Sequence, residues 1–220
     1  MDTYTITMTG TRPLLMHAND IDFRDTMKAW LLDPTNKKMS VAGDDRTPPW
    51  TWLGYCYHDG QKLVIPSDNL MTTLREGGAK VPTGKSRETY KRISQAGILV
   101  MDLAWDIIPA GRTAPVEWQP LKDAALTASF AECEQLAREA GFALYKKSVK
   151  VGRSSHIRVR PRFEPGWSIS GEVTILDERI TKDVLAQIMD AAGRFAGLGD
   201  WRPSSPMAPG PFGMFEATVK

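Results

Sequence analysis

Seventeen residues, Lys146 to Arg162, carry seven basic side chains and no acid, and their apolar residues fall at alternate positions. Val149 and Val151 precede Gly152-Arg153-Ser154-Ser155, and Ile157 and Val159 follow it. A period of two belongs to a strand with one packed face and one solvated face, so the tract predicts two short strands joined by the Gly-Arg-Ser-Ser turn. Alternation then sets Lys150, Arg158 and Arg160 opposite the valines. A second basic segment, Lys80 to Arg92, holds Lys80, Lys85, Arg87, Lys91 and Arg92 against the single acid Glu88. It has no apolar stripe and reads as a loop leading into the next element, a candidate clamp or thumb.

Together the two segments hold 12 of the 28 basic residues and 1 of the 26 acids. The remaining 190 positions carry 16 basic and 25 acidic residues, so a chain of net charge +2 is a mildly acidic protein with two strongly basic segments. Counterion release from phosphates needs clustered Lys and Arg rather than a high average, and this is the distribution of a polyanion binder. Two solvated faces are the alternative on charge alone.

With 220 residues, 42% of them hydrophobic, the chain buries a core without disulfides or metal. Cys56 and Cys133 lie far apart and outside metal-ligand spacing, as expected in a reducing compartment. No apolar run approaches the ~20 residues of a bilayer span, and Asp2 stands where a secretory leader has basic residues. A cytoplasmic protein is expected.

Thr3 to Thr9 alternates Tyr4, Ile6 and Met8 with threonines and predicts the first strand. Phe23, Met27, Trp30 and Leu31 predict a short helix ending at Asp33-Pro34, after a loop from Gly10 to Asp22. Tyr55 to Ile65 reads as a hairpin across Asp59-Gly60. Ser67 is positioned to cap a helix with Leu70, Met71 and Leu74 inward, stopped by Gly77-Gly78. Ile98 to Ile108 predicts a buried strand, and Leu126 to Ala140 one helix ending at Gly141. Trp167 to Ile175 is a further strand, Thr181 caps a helix, and Phe212 to Val219 is the last strand. The order fits an α+β fold with a ferredoxin-like or RRM-like core, βαββαβ. We expect a single elaborated domain over 1–220, with insertions at about 10–54, 79–97 and 109–147.

His17, His58 and His156 are not at metal-binding spacing, and no nucleophile elbow, P-loop or paired CxxC is present, so no metal or cofactor is expected. Gly197-Leu-Gly199-Asp-Trp-Arg202 follows a helix and lacks a third glycine, which excludes a dinucleotide fingerprint. Asp20 and Asp22, with His17 and Asp25 near, form the one candidate catalytic group; a turn and a helix N-cap explain the same residues. In the C-terminal block, glycines permit close approach to a phosphate or a packed neighbour, Arg202 adds a fork of donors and Trp201 a stacking plane.

That block, Gly197-Leu-Gly199-Asp-Trp-Arg202-Pro203 and then Phe212-Gly213-Met-Phe215, resembles the glycine-rich loop of the RAMP superfamily, RRM-like proteins of CRISPR effector backbones and guide-processing nucleases. Leu14-Leu-Met-His17, Ile65-Pro-Ser-Asp-Asn-Leu70 and Arg158-Val-Arg-Pro-Arg-Phe163 are similar to segments of proteins carried by bacteriophages and prophages. Ser204 to Pro211, with three prolines, departs from the RAMP pattern and weakens phosphate cradling by the loop. The resemblance implies a modified RRM fold, single-stranded nucleic acid as partner, and head-to-tail assembly into an oligomer. It places nuclease groups where His17, Asp20 and Asp22 stand.

The expected function is backbone-directed, sequence-independent binding of single-stranded DNA or RNA, in the host cytoplasm if phage-encoded. The expected contacts are Lys80, Lys85, Arg87, Lys91, Arg92, Lys146, Lys147, Lys150, Arg153, Arg158, Arg160, Arg162 and Arg202. Phe163, Trp167 and Trp201 are the expected stacking surfaces, and Gly197, Gly199 and Gly213 the loop glycines. The alternatives are a RAMP-like RNA endonuclease and an interaction protein that inhibits a CRISPR-type effector.

Overall fold

A computed structural model describes residues 1–220 other than Lys37 and Ser86, and all described side chains except that of Val151. The elements run β1 (Asp2–Gly10), β2 (Leu14–Leu15), α1 (Ile21–Leu32), a 3-10 turn (Thr51–Tyr55), β3 (Val64–Pro66), α2 (Ser67–Gly78), α3 (Lys91–Gly97), β4 (Ile98–Val100) and β5 (Ala104–Ile108). There follow α4 (Trp118–Thr127), α5 (Phe130–Ala140), β6 (Ala143–Val151), β7 (Ser154–Phe163), β8 (Ser168–Ile175), α6 (Lys182–Ala191), a π-helical turn (Ala192–Ala196) and β9 (Phe215–Val219). The fold is α+β with antiparallel sheets, and the chain divides into two compact units. The first is Met1–Leu15, Val64–Pro115 and Glu164–Lys220; the second is Met16–Leu63 and Val116–Phe163. Among the described residues no helix is long and apolar enough to cross a membrane.

The first unit is built on an antiparallel sheet ordered β3-β5-β8-β1-β9, with β4 also on β8. Its threonine alternation sets the two faces of β1. Ile6 and Met8 are buried, whereas Thr7 opposes Ser170 and Thr5 opposes Glu172 on a hydroxyl-rich face. The core holds Leu70 and Leu74 of α2 and Leu185, Ile188 and Met189 of α6. Two strand glycines make room for indoles there: a methyl at Gly171 would collide with Trp105, and one at Gly10 with Trp167.

The second unit centres on the β6–β7 hairpin, which pairs from Ala143 opposite Arg162 to Val151 opposite Ser154. Phe142 stacks on Phe163 at 5.2 Å, and Trp52 of the 3-10 turn lies 5.9 Å from Phe142. The α4 and α5 helices cover this core with Leu121, Ala125, Cys133 and Ala137.

Several expectations are corrected. The strand over 98–108 is two strands, both registered on β8, because exposed Met101 and Leu103 leave the sheet between them. The helix over 126–140 is two: Ser129 accepts from the Glu132 amide while its own amide donates to Glu132 Oε2, and this capping box restarts the chain as α5. Asp59-Gly60 does turn, with Asp59 Oδ1 accepting from the Gln61 and Lys62 amides, but its arms meet at the single bridge His58–Leu63. Ser67 lies inside the first turn of α2, and its side chain caps nothing. The last strand begins at Phe215 rather than Phe212.

The fit of Trp105 over Gly171 yields a test. Gly171→Ala should lower the unfolding free energy by about 1–3 kcal/mol through overpacking. An unchanged urea midpoint would refute that packing.

Candidate nucleic-acid interface

Antiparallel register decides which basic side chains share a face. Lys147 stands directly opposite Arg158, Tyr145 opposite Arg160 and Ala143 opposite Arg162, so Lys147, Arg158, Arg160 and Arg162 form a ladder on one face of the hairpin. The Arg162 guanidinium lies 5.7 Å from the Tyr145 ring centroid on that face. Lys150 pairs with Ser155 on the opposite face, the face of Val159. The expected grouping of Lys150 with Arg158 and Arg160 is therefore corrected: Val149 shares the arginine face, and the turn changes the parity between the strands. The Val151 side chain, part of that expectation, lies outside the described residues. Lys146 is also on the Lys150 face and is held by Glu134 of α5 at 2.6 Å and by the Phe130 ring. Arg153 is exposed at the hairpin turn.

Aromatic stacking is corrected at two positions. Phe163 and Trp167 have no exposed surface, Phe163 being packed on Phe142 and Trp167 donating Nε1–H to the Arg12 carbonyl. Trp201 stacks on Phe212 at 5.3 Å.

The outer edge of β7 pairs with a loop: the Ile157 amide donates to the Gly43 carbonyl at 2.8 Å, and the Asp45 amide to the Ile157 carbonyl at 3.0 Å. This pairing delivers the Asp45 carboxylate, only 5% exposed, to the ladder. It accepts from Arg158 Nη1 at 2.9 Å, the Val159 amide at 3.1 Å and the Tyr55 hydroxyl at 3.0 Å. Burial and the Asp45 charge both push the Tyr55 phenol up, so it stays protonated and donating at neutral pH. For Arg158, burial opposes the charge, but Asp45 and Tyr55 outweigh it and raise the guanidinium further.

Arg158 and Arg160 also line a cavity of about 760 Å³ inside the second unit. Its other walls are α1, the loop 40–47 and the 3-10 turn, and His17 and Asp20 face it. The structure thus gathers two catalytic candidates and two members of the basic ladder around one space. Their local roles are structural. Asp20 caps α1 by accepting from the Phe23 amide at 3.2 Å, and its Oδ2 lies 2.9 Å from His58 Nε2. The Gly60 amide donates to His58 Nδ1 at 3.2 Å, which puts the imidazole proton on Nε2, toward Asp20. His58 stacks on Trp118 at 4.1 Å. Burial works against the Asp20 charge, but the bonds from His58 and Phe23 outweigh it and hold the carboxyl below the usual aspartate range. His17 packs edge-on against Tyr55 at 5.2 Å, while Asp22 is an exposed residue in the first turn of α1. Among the described residues no group of three or more His, Cys, Asp or Glu is placed to hold a metal ion.

The remaining predicted residues lie in the first unit. Lys80, Lys85, Arg87, Lys91 and Arg92 are all exposed, on a loop closed by the Pro82–Thr89 bridge and on the start of α3. The glycine-rich loop is bonded inward. The Gly197 amide donates to Ala192, Leu198 to Gly213, Asp200 to Leu15 and Gly213 to Pro13. A methyl at Gly213, whose φ is 69°, would run into the Leu198 carbonyl. Arg202 donates to the Gly199 carbonyl and to Ser204 Oγ and lies 3.5 Å from Glu76, which Ser204 also contacts. The glycines and Arg202 here serve close packing of the loop against its neighbours.

Sequence reasoning missed Asp45, Tyr55 and Arg24. Asp45 and Arg158 are 113 residues apart, and no local spacing links them. Arg24 had a usable signal, since it follows Asp20 by four residues on the face of α1 shared with Met27 and Leu31. Compared with known proteins, the chain matches no family model and no curated sequence.

Two predictions follow from these carboxylates. Asp45→Ala leaves Arg158 and the Val159 amide without their acceptor and should cost about 2–4 kcal/mol in chemical denaturation; a loss below about 0.5 kcal/mol would contradict this role. At Asp20 the folded carboxyl is depressed, so its charge stabilises the fold fully above the unfolded value near pH ~4, and that contribution disappears as pH falls through the folded value. Asp20→Asn keeps a capping oxygen and removes the charge. Denaturation across pH should show the variant less stable at neutrality and the gap closing in acid, and a pH-independent gap would refute the charge effect.

Proposed function

We propose that this protein binds single-stranded nucleic acid through its phosphate backbone, using the face of the β6–β7 hairpin that carries Lys147, Arg158, Arg160 and Arg162. The observation that carries the reading is the ladder itself. Lys147 directly opposes Arg158, and two further arginines follow at alternate positions of the same strand face. Four cations gathered on one face of the hairpin concentrate positive potential, which a polyanion complements through counterion release. Asp45 pairs with Arg158, and the basic tract itself contains no acid. Tyr145 on the same face adds a ring for stacking. The exposed cations between Lys80 and Arg92 form a second phosphate-binding surface on the first unit.

The first unit supports a ferredoxin-like, RAMP-type reading. Its elements β1, α2, β5, β8, α6 and β9 follow one another in the order βαββαβ, and the sheet order β5-β8-β1-β9 is antiparallel throughout. The open face of that sheet bears Thr, Ser and Glu side chains, so backbone recognition in this protein belongs to the basic segments rather than to aromatics on the sheet.

Fluorescence anisotropy with labelled single-stranded DNA, single-stranded RNA and duplex DNA over a salt series tests the reading. Wild-type protein should bind single strands with steep salt dependence. Lys147/Arg160/Arg162→Ala should bind weakly and lower the slope of log K against log salt by about 2, at ~0.7 per lost phosphate contact. Lys150→Ala, on the opposite face, should change the slope by less than 1. Absence of salt-sensitive binding to every probe would overturn the proposal and favour a protein partner, whose affinity through apolar contacts persists in salt.

A further inference from the structure

We propose that the cavity of the second unit is a binding site for a nucleoside monophosphate. The proposal rests on the strand-binding reading in one respect, that a bound strand is one source of this ligand. At about 760 Å³ the cavity falls in the size range of small-molecule sites and exceeds what a bare phosphate fills.

Three carboxylates line it, and each is already satisfied. Asp20 is held by His58 and the Phe23 amide, Asp44 by the Arg46 guanidinium, and Asp45 by Arg158, Tyr55 and the Val159 amide. None requires a cation from outside. Arg24, by contrast, extends from α1 into the lining, is exposed, and makes no ion pair among the described residues. Arg24 thus presents an uncommitted guanidinium to the cavity, a fork of donors that suits a phosphate's oxygens.

The wall beside Arg24 is apolar. Met27 and Leu31 lie one and two turns further along the same face of α1, and Val41 also lines the cavity. Leu31 is 44% exposed and Val41 58%, large apolar surface left open at a cavity wall. Arg24 and Leu31 are separated by ~10.5 Å along the helix axis, a span that a phosphate, sugar and base cover together. The Ser40 and Thr47 hydroxyls also line the space and make no hydrogen bond among the described residues, so they are available to a base edge or a sugar hydroxyl. Inorganic phosphate would leave the apolar wall wet, and a fatty acid would leave the hydroxyls unused. A ligand with an anionic end, hydroxyls and a flat apolar ring uses all three surfaces.

The test is isothermal titration calorimetry of the full chain with 5′-AMP, 5′-CMP, adenosine and inorganic phosphate at millimolar concentration. Both nucleotides should bind saturably. Arg24→Ala changes an exposed residue and should weaken the nucleotides about tenfold while leaving adenosine unchanged. Met27→Trp fills the cavity and should abolish binding of all three nucleoside ligands, with circular dichroism and melting curves reporting its fold. No saturable nucleotide binding, or affinity unchanged in Arg24→Ala, overturns the proposal even where Met27→Trp does not fold. Labelled single strands measured with the same variants separate the sources. Strand affinity lost together with nucleotide binding assigns the site to a nucleotide of the strand, and strand affinity retained assigns it to a free nucleotide. Nucleotide binding by a wild-type protein that binds no strand overturns the strand reading alone, and strand binding without nucleotide binding overturns this one alone.

Discussion

The buried carboxylate of Asp45 is the contact on which the basic face of the second unit depends. It accepts three hydrogen bonds, from a guanidinium, a main-chain amide and a phenol, and so ties the loop at 43–45, strand β7 and the 3-10 turn to one another. A carboxylate with so little solvent exposure is tolerable only when its lone pairs are occupied, and here they are. The same bonds fix Arg158 in one orientation and separate it in role from its neighbours. Arg158 belongs as much to the framework as to the basic face, whereas Lys147, Arg160 and Arg162 extend the charge along that face beyond it.

A run of seven basic residues therefore divides its labour. The pleat sends Lys146 and Lys150 to the face of Val159, where Lys146 lays its stem toward α5 and closes on Glu134. The remaining four cations of the paired strands line up on the other face, two of them at the cavity wall. The ladder of cations and the cavity that two of them line lie within one unit. Asp20 lines that cavity as a helix cap and His58 partner, not as a free acid, which is why the group first singled out for catalysis reads in the structure as support for α1 and its Arg24.

Much of the architecture was legible because it is written in short-range pattern. The threonine alternation of β1, the Thr181 cap that accepts from Val184, and the left-handed Gly141 after α5 are local rules, and each is found where the pattern placed it. Errors came where a local rule was incomplete. An apolar stretch over 98–108 says nothing of a three-residue departure from the sheet, and helical spacing through 126–140 hid a Ser129 box strong enough to restart the helix. Alternation was right within β6 and within β7, but the parity between them depends on how the turn sets the register, and Lys150 fell on the wrong side for that reason.

By itself the sequence determined the clustering of positive charge, the strand character of the basic tract and the order of most elements, because periodicity and charge are carried by near neighbours. The tertiary structure decided which cations share a face, which acids are spent on partners, and that Phe163 and Trp167 are core. Those outcomes depend on residues more than a hundred positions apart meeting across a hairpin edge, as Asp45 and Arg158 do, and no local spacing encodes such a meeting.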